Sequence, residues 1–155
     1  MSIAQYTGRQ YDVLAFRGAK LSGPAQLLMS MFDSSTYGEI CTGIQSLSQR
    51  WLLTFLTELG SMPFKPNAGT NFMRDLRRGR FRTEADVIDS FSFADLLVSE
   101  QLRAEETDSW PADERFGSAK LTAIAILGDT IALDITIVSR AGVTRTVVMP
   151  LPITV

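Results

Sequence analysis

The residues best equipped for chemistry form an acidic cluster at the start of the C-terminal third of the chain. The cluster consists of Glu105, Glu106, Asp108, Asp113 and Glu114. A glycoside hydrolase uses two carboxylates about 5–9.5 Å apart across the scissile bond, and Trp110 offers an aromatic face for a sugar ring. The same residues also fit a solvated acidic loop at a helix end, or a surface that contacts a partner carrying cations. We favour partner contact, and a lysozyme-like, carboxylate-dependent glycan hydrolase is the alternative.

Other catalytic groups are scarce in this sequence. It contains no histidine, which is the commonest general base and the commonest metal ligand in proteins. The single cysteine, Cys41, lies in an apolar stretch and is expected to be a buried, unreactive thiol. We therefore expect no catalytic residue, no metal site and no cofactor, and a protein that is not an enzyme.

A second charged segment runs from Arg74 to Arg82 with the sequence RDLRRGRFR. It fits a solvated helix end, a phosphate contact, or ion pairs with an acidic neighbour. The chain carries 15 basic and 17 acidic residues, a net charge of −2, so it has no overall attraction for nucleic acid or anionic lipid. Because arginine suits bidentate pairing with carboxylates, protein contact is the preferred interpretation.

The length of 155 residues fits one domain. The N-terminus has no signal-peptide pattern, and no apolar stretch reaches the roughly 18 residues of a transmembrane helix. We expect residues 1–37 to be an extension, extended or ordered by a partner, and residues 38–155 to form one α+β domain. Within the extension, Tyr11–Phe16 and Ala25–Phe32 are apolar runs that fit two strands or chain lying on a neighbour.

Apolar spacing predicts that helices come first in this domain. The helical period begins at about Glu39, and Gly60 is the expected C-cap of that helix. Thr70 is expected to cap a short helix that ends at Arg78. Thr83 and Asp86 predict a capping box at the start of a long helix to about residue 106. The expected buried face of the long helix consists of Val87, Phe91, Ala94, Val98 and Leu102.

The hydrophobic period then changes to two, which predicts a three-stranded antiparallel meander and an α+β fold. Gly128-Asp129 fits a two-residue II′ turn, and residues 140–142 fit a three-residue loop ending in glycine. Pro150 and Pro152 are expected to end pairing on the last strand. The residues expected to share one face are Leu121, Ala123, Ala125 and Leu127 in the first strand, Ile131, Leu133, Ile135 and Ile137 in the second, and Val143, Arg145, Val147 and Met149 in the third.

The last strand is also a candidate binding element. Val143–Met149 is β-branched and apolar on one face, with Arg145 as its only charged residue. An edge strand presents unpaired amides and carbonyls, so a partner chain can add a strand there.

Several motifs, taken in their order along the chain, resemble those of a known family. They are Gly38-Glu39-Ile40 leading to Thr42-Gly43-Ile44, then Leu53–Gly60 (LTFLTELG), Pro66–Phe72 (PNAGTNF), Asp113–Phe116 (DERF) and Met149-Pro150. Residues 38–152 thereby resemble the baseplate wedge family of contractile phage tails, which includes the sheath initiator. The family commonly shows Glu-Pro-Arg before its first strand, whereas here Glu114-Arg115 stand together and Pro111 lies upstream.

The resemblance implies a structural virion protein of the tail baseplate, assembled in the host cytoplasm. Such subunits bind the helical-bundle core of the wedge and start sheath polymerisation by pairing strands with the first sheath ring. The implied partners are other baseplate wedge proteins, the tail sheath protein and, as a further candidate, the tail tube, in several copies around a symmetric baseplate; neither nucleic acid nor a membrane is implied. The bundle would meet Trp110–Phe116 and the long helix. The expected partner-binding residues are Trp110, Asp113, Glu114, Arg115, Phe116, Val143, Arg145, Val147 and Met149.

Overall fold

The computed structural model describes Arg9, Asp12–Val13 and residues 40–153. In this part of the chain, helices are followed by a C-terminal three-stranded antiparallel sheet, so the predicted α+β class is confirmed. The expectation for Ala25–Phe32, and most of that for residues 1–37, lies outside the described residues. The elements are β1 (Asp12–Val13), β2 (Ile40–Cys41), α1 (Gly43–Leu56), α2 (Phe72–Arg77), α3 (Glu84–Glu105), β3 (Phe116–Leu127), β4 (Thr130–Ser139) and β5 (Thr144–Pro152).

The core lies between the helices and one face of the β3-β4-β5 sheet. Aromatic side chains hold the helices together: the Trp51 and Phe55 rings of α1 stack with centroids 4.8 Å apart. Phe55 also contacts Phe72 of α2 at 4.8 Å and Phe91 of α3 at 5.6 Å. Burial of one such side chain stabilises the fold by about 1.5–3 kcal/mol, so this cluster is a major part of the core.

Helix α1 is shorter than the sequence predicted at both ends. Ile40–Cys41 forms β2, which pairs with β1, so the predicted helical start near residue 39 is wrong. The helix ends at Leu56 and its C-cap is Thr57, not Gly60. The reason is tertiary: the Thr57 carbonyl accepts the Thr70 N–H at 2.8 Å, which holds the chain extended directly after the helix.

The two later helices agree better with the sequence. Asn71, one residue after the predicted Thr70, is the N-cap of α2, although the Thr70 hydroxyl still accepts the Phe72 N–H at 3.3 Å. The capping box of Thr83 and Asp86 is confirmed at the start of α3. All five residues of the predicted inner face of α3 are buried, because they recur at the helical period: Val87, Phe91, Ala94, Val98 and Leu102.

The meander is confirmed, with one correction in β3. That strand begins at Phe116 and is bulged at Thr122, where the register shifts against β4. A bulge inserts one residue and exchanges the faces beyond it. Leu121 and Ile124 therefore pack on the core, and the predicted face is broken because its later members are exposed: Ala123, Ala125 and Leu127.

Strands β4 and β5 follow the predicted alternation, and both predicted turns are present. Ile131, Leu133, Ile135 and Ile137 are all at most 1% exposed. Gly128 and Gly142 have positive φ angles at the two hairpin turns. The expectation that the prolines end pairing is wrong, because β4 remains paired with β5 through Pro150 and Pro152.

Candidate assembly surfaces

The segment that links α3 to β3 is anchored to the start of α1. The Glu114 carboxylate is only 1% exposed and accepts the backbone N–H of Gly43, the first residue of α1, at 3.0 Å. A carboxylate is favoured at this position because the first amides of a helix are unpaired and carry partial positive charge. Arg9 adds a 2.7 Å ion pair with Asp113 and a 3.4 Å contact with Glu114.

Gly43 is the residue that permits this approach. Its φ is +61°, and a Cβ atom there would lie 2.9 Å from the Asp113 carboxylate. Any larger residue would therefore strain the backbone and displace the segment.

Arg50 of α1 closes the other side of the segment. Its Nη2 donates to the backbone carbonyl of Glu114 at 2.5 Å, and the guanidinium lies 3.5 Å from the Glu106 carboxylate. The same guanidinium covers the Trp110 ring at 4.6 Å from the centroid. Burial lowers the pKa of Arg50, and the charge of Glu106 opposes that shift. Arg50 Nη1 and Glu106 Oε2 are buried without a hydrogen-bond partner, so this cluster is not fully satisfied.

The structure brings the predicted residues of this segment together but turns several of them inward. Glu114 and Phe116 are each 1% exposed. Arg115 pairs with the exposed Asp108 at 3.0 Å, and the Phe116 N–H donates to Glu106 at 2.6 Å. Partner contact stays a prediction here; in this conformation the accessible groups are the partly exposed ones, Trp110, Asp113 and Arg115.

The carboxylates that a glycan hydrolase would use differ in their exposure and in their partners. Glu105 is half exposed and pairs with Lys65 at 3.0 Å, whereas Glu114 is buried against α1. A glycan could not reach the Glu114 carboxylate in this conformation, and the Trp110 face is already covered by Arg50.

The backbone pairing of β5 decides which of its residues are available at the sheet edge. The Ser139 N–H donates to the Val143 carbonyl at 2.9 Å, and the Ile153 N–H donates to the Asp129 carbonyl at 2.5 Å. The register between the two strands has no shift. Odd-numbered residues of β5 therefore direct their backbone groups toward β4, and even-numbered residues direct theirs outward.

The outer edge of β5 is consequently open in only one half. Thr144, Thr146 and Val148 present N–H donors, whereas Pro150 and Pro152 present none. No strand among residues 40–153 pairs with this edge.

The residues that the sequence predicted as partner-binding in the last strand do not form an exposed face. Val147 and Met149 are buried, and Val143 lies in the turn before the strand. The backbone of Arg145 pairs with Ile137 of β4, so its N–H and carbonyl face β4 and are not available at the outer edge.

The sheet has a second edge at β3, which borders a groove. The groove has a volume of about 510 Å³ and lies between α3 and residues 119–124 of β3. Ile88 and Phe91 of α3 contribute apolar walls, and Asp95 lies beside them. Asp95 accepts the Trp51 indole N–H at 3.2 Å, and burial raises the pKa of its carboxyl group.

Helix α3 also carries an apolar outer face that sequence reasoning missed. Ile88, Phe93 and Leu96 are 46%, 59% and 55% exposed. The sequence did contain a signal for this exposure, because these three apolar residues do not belong to the buried stripe formed by the five core positions of the helix.

Two of the five arginines between Arg74 and Arg82 form ion pairs with other described residues. Arg77 forms an ion pair with Glu58, and Arg80 pairs with Asp75 at 2.9 Å. Asp86 accepts the backbone N–H of Arg82 at 3.0 Å as part of the α3 cap. The carboxylates of Glu58 and Asp75 therefore compensate two of the charges for which an acidic neighbour was expected.

Comparisons with known proteins add no family. No protein-family model matches the chain, and no curated protein matches it. Among the described residues, no helix combines the length and apolar character needed to cross a bilayer. Residues 40–153 likewise contain no group of three or more His, Cys, Asp or Glu side chains placed to hold a metal ion.

Proposed function

We propose that this protein is a structural subunit of a contractile-tail baseplate, which binds the wedge core and starts the sheath by strand pairing. The proposal rests on the resemblance of residues 38–152 to the baseplate wedge family. The observation that carries it furthest is the outer edge of β5, where the N–H groups of Thr144, Thr146 and Val148 face no strand of the described part of the chain. Such an edge is a template for an added strand.

The positions of the free N–H groups along this edge favour one register for an added strand. The prolines remove donors from the far half, so an incoming strand finds N–H partners only near the β4–β5 turn. That turn is itself held in place, because the Arg140 and Ala141 amides donate to the carbonyls of Arg115 and Ala112 at 2.8 and 3.1 Å. A rigid and short edge favours one register of the added strand.

The outer face of α3 supports the second part of the proposal. Phe93 and Leu96 lie three residues apart, so they stand on neighbouring turns of the helix and are both more than half exposed. An amphipathic helix of a bundle would cover them. The wedge contact is therefore assigned to this face together with the accessible groups of Trp110 and Asp113.

The test compares Thr146→Pro with Thr146→Val. Proline removes the central outward N–H of β5, whereas valine loses only the hydroxyl that contacts Thr136 at 3.0 Å. We expect tail-producing cells that express the proline variant to yield baseplates without sheath, and the valine variant to yield normal sheathed tails. Electron microscopy of purified particles gives the fraction of baseplates that carry a sheath.

A second readout separates the two parts of the proposal. Co-purification of the tagged Thr146→Pro chain with wedge proteins is expected to persist, and Phe93→Ser with Leu96→Ser should abolish it. Normal sheaths on Thr146→Pro baseplates would rule out strand pairing at β5. Recovery of the wild-type chain without any baseplate or sheath protein would overturn the assembly role altogether.

A further inference from the structure

The loop between α1 and α2 presents the most exposed large apolar side chain among the described residues. Phe64 is 99% exposed, and Met62 and Leu53 beside it are 44% and 43% exposed. Phe64 stands between Pro63 and Pro66, which restrict the loop backbone. An aromatic ring left in water gives up the 1.5–3 kcal/mol or so that its burial would contribute.

The base of this loop is fixed by side-chain and backbone hydrogen bonds. Gln101 of α3 binds both backbone groups of Gly69: its Oε1 accepts the N–H at 2.8 Å and its Nε2 donates to the carbonyl at 3.0 Å. Gly69 has φ +96°, and a Cβ atom there would lie 2.3 Å from the Thr57 carbonyl oxygen. The loop is therefore anchored at its base, at Gly69, which reduces the backbone conformational entropy that binding at this loop would lose.

A dent, meaning a shallow pocket, lies next to this loop, and Met62 and Lys65 on either side of Phe64 in the sequence are among its lining residues. Its volume is about 140 Å³, and Leu53, Met62, Gly69 and the stems of Lys65 and Glu105 are among its lining residues. A cavity of about 150 Å³ lined by apolar groups can hold a benzene ring, so the dent has the size for one phenyl group. Phe64 itself does not line it, although its neighbours in sequence do.

The charges at the rim of the dent are complementary to each other. Lys65 and Glu105 form an exposed ion pair, 65% and 51% accessible, with 3.0 Å between nitrogen and oxygen. In a contact about a two-fold axis, a pair of residues meets reciprocally, so Lys65 of one copy can meet Glu105 of the other while Glu105 of the first meets Lys65 of the second. An anionic lipid surface fits less well, because Glu58 and Glu105 stand at the base of the same loop.

We infer that this surface is a self-association site, in which Phe64 of one copy inserts into the dent of a second copy and the reverse. The contact is small, so the association is weak and depends on concentration. It goes beyond the proposed function and uses neither β5 nor the outer face of α3. Its failure would therefore leave the baseplate proposal untouched.

Sedimentation velocity of the full chain over a concentration series tests the contact. We expect a reversible monomer–dimer equilibrium, which Phe64→Ala weakens about tenfold or more, as loss of a central aromatic anchor does. Leu127→Ala is the matched control: it removes another large apolar side chain, 61% exposed at the end of β3, and should leave the equilibrium unchanged. Circular dichroism checks that both variants are folded. A chain that stays monomeric at every concentration, or one whose dimer is lost with Leu127→Ala and not with Phe64→Ala, would overturn the inference.

A charge exchange gives a sharper test, because it separates pairing between copies from pairing within one copy. Lys65→Glu alone and Glu105→Lys alone each place like charges across the two-fold contact, and each should weaken self-association about threefold to fivefold. An equimolar mixture of the two variants forms a hetero-dimer in which both pairs are opposite in charge. We expect the mixture to recover wild-type association. A mixture that behaves as the sum of its two components would refute pairing between copies.

Discussion

The segment before β3 and the outer edge of β5 differ in how they treat polar groups. In the first, Glu114 and Arg50 are turned inward and occupy unpaired backbone groups at the start of α1 and in the segment itself. In the second, the backbone donors of Thr144, Thr146 and Val148 have no partner strand in the described part of the chain. Charged residues, which usually mark a surface, thus build the inside of one region, while uncharged residues leave the other open for binding.

The contrast shows which groups of this protein remain available to bind a partner. An acidic cluster in a sequence indicates a contact surface only when its side chains are free, and Glu114 is not. A short strand of threonine and valine indicates an interface when its ladder is incomplete. The predictions below test the two sides of this difference, beginning with the largest expected effect.

Glu114→Ala should destabilise the protein most. The substitution leaves the Gly43 amide without its carboxylate partner and removes a charge that is only 1% exposed and faces the partly exposed Arg9. Loss of one member of a buried charged cluster costs about 3–5 kcal/mol of unfolding free energy. Urea denaturation measures the change, and Asp108→Ala, at the fully exposed end of the Arg115 pair, should stay within about 0.5 kcal/mol of wild type. A loss below about 1 kcal/mol for Glu114→Ala would mean that the segment is held by other contacts.

Arg145→Pro should come next, and it should differ from Thr146→Pro. The Arg145 backbone faces β4, so proline there removes a ladder hydrogen bond and leaves a carbonyl of β4 unpaired, at a cost of about 1–3 kcal/mol. The Thr146 backbone faces outward, so proline there should cost less than about 1 kcal/mol. Thermal and urea unfolding of the two variants provide the comparison. Equal losses would show that the outer edge of β5 is not free.

Gln101→Ala should loosen the loop at Gly69. The Gln101 side chain forms hydrogen bonds with both the N–H and the carbonyl of Gly69. Loss of these two hydrogen bonds should lower the free energy of unfolding by about 1–2 kcal/mol. Hydrogen exchange at the Gly69 amide should accelerate while exchange in β4 remains slow. Gln101→Glu keeps the acceptor and loses the donor, so its effect should lie between wild type and Gln101→Ala. Unchanged exchange at Gly69 in the alanine variant would contradict this role.

Asp95→Asn should have the smallest effect and the opposite sign. Burial raises the folded-state pKa of Asp95 above its unfolded value, so folding favours the neutral carboxyl group over the charged one, relative to the unfolded chain. The resulting stabilisation is present below about pH 4 and is lost as the pH rises through the folded-state pKa. Asparagine keeps an acceptor for the Trp51 indole without the charge, so it should raise stability slightly at pH 7 and not at pH 3. Unfolding curves at the two pH values measure this; a decrease at pH 7 would show that the charge of Asp95 is stabilising.

Features that depend on neighbouring residues could be read from the sequence. The capping box of Thr83 and Asp86, the inner face of α3 and the two glycine turns of the meander all require contacts only a few residues apart. The class of fold follows from the change of period between the helices and the strands.

Features that depend on distant residues could not. The helix α1 ends early because Thr70 captures the Thr57 carbonyl, and the face of β3 changes because Thr122 is bulged against β4. The sequence named Glu114, Arg115 and Phe116 as important but gave no sign that the carboxylate would bind a helix start 71 residues away.

By itself, then, the amino-acid sequence determined the order and type of the elements from α1 onward, since propensity, periodicity and caps act over one or two turns of chain. The tertiary structure decided which polar groups are used inside and which remain available. Glu114 accepts the first N–H of α1 because Arg50 holds its segment there and Gly43 has no side chain in the way. The outer edge of β5 has no partner strand because β5 is the last strand of the described sheet. Both outcomes depend on which surfaces meet when the chain packs, and spacing along a sequence does not contain that information.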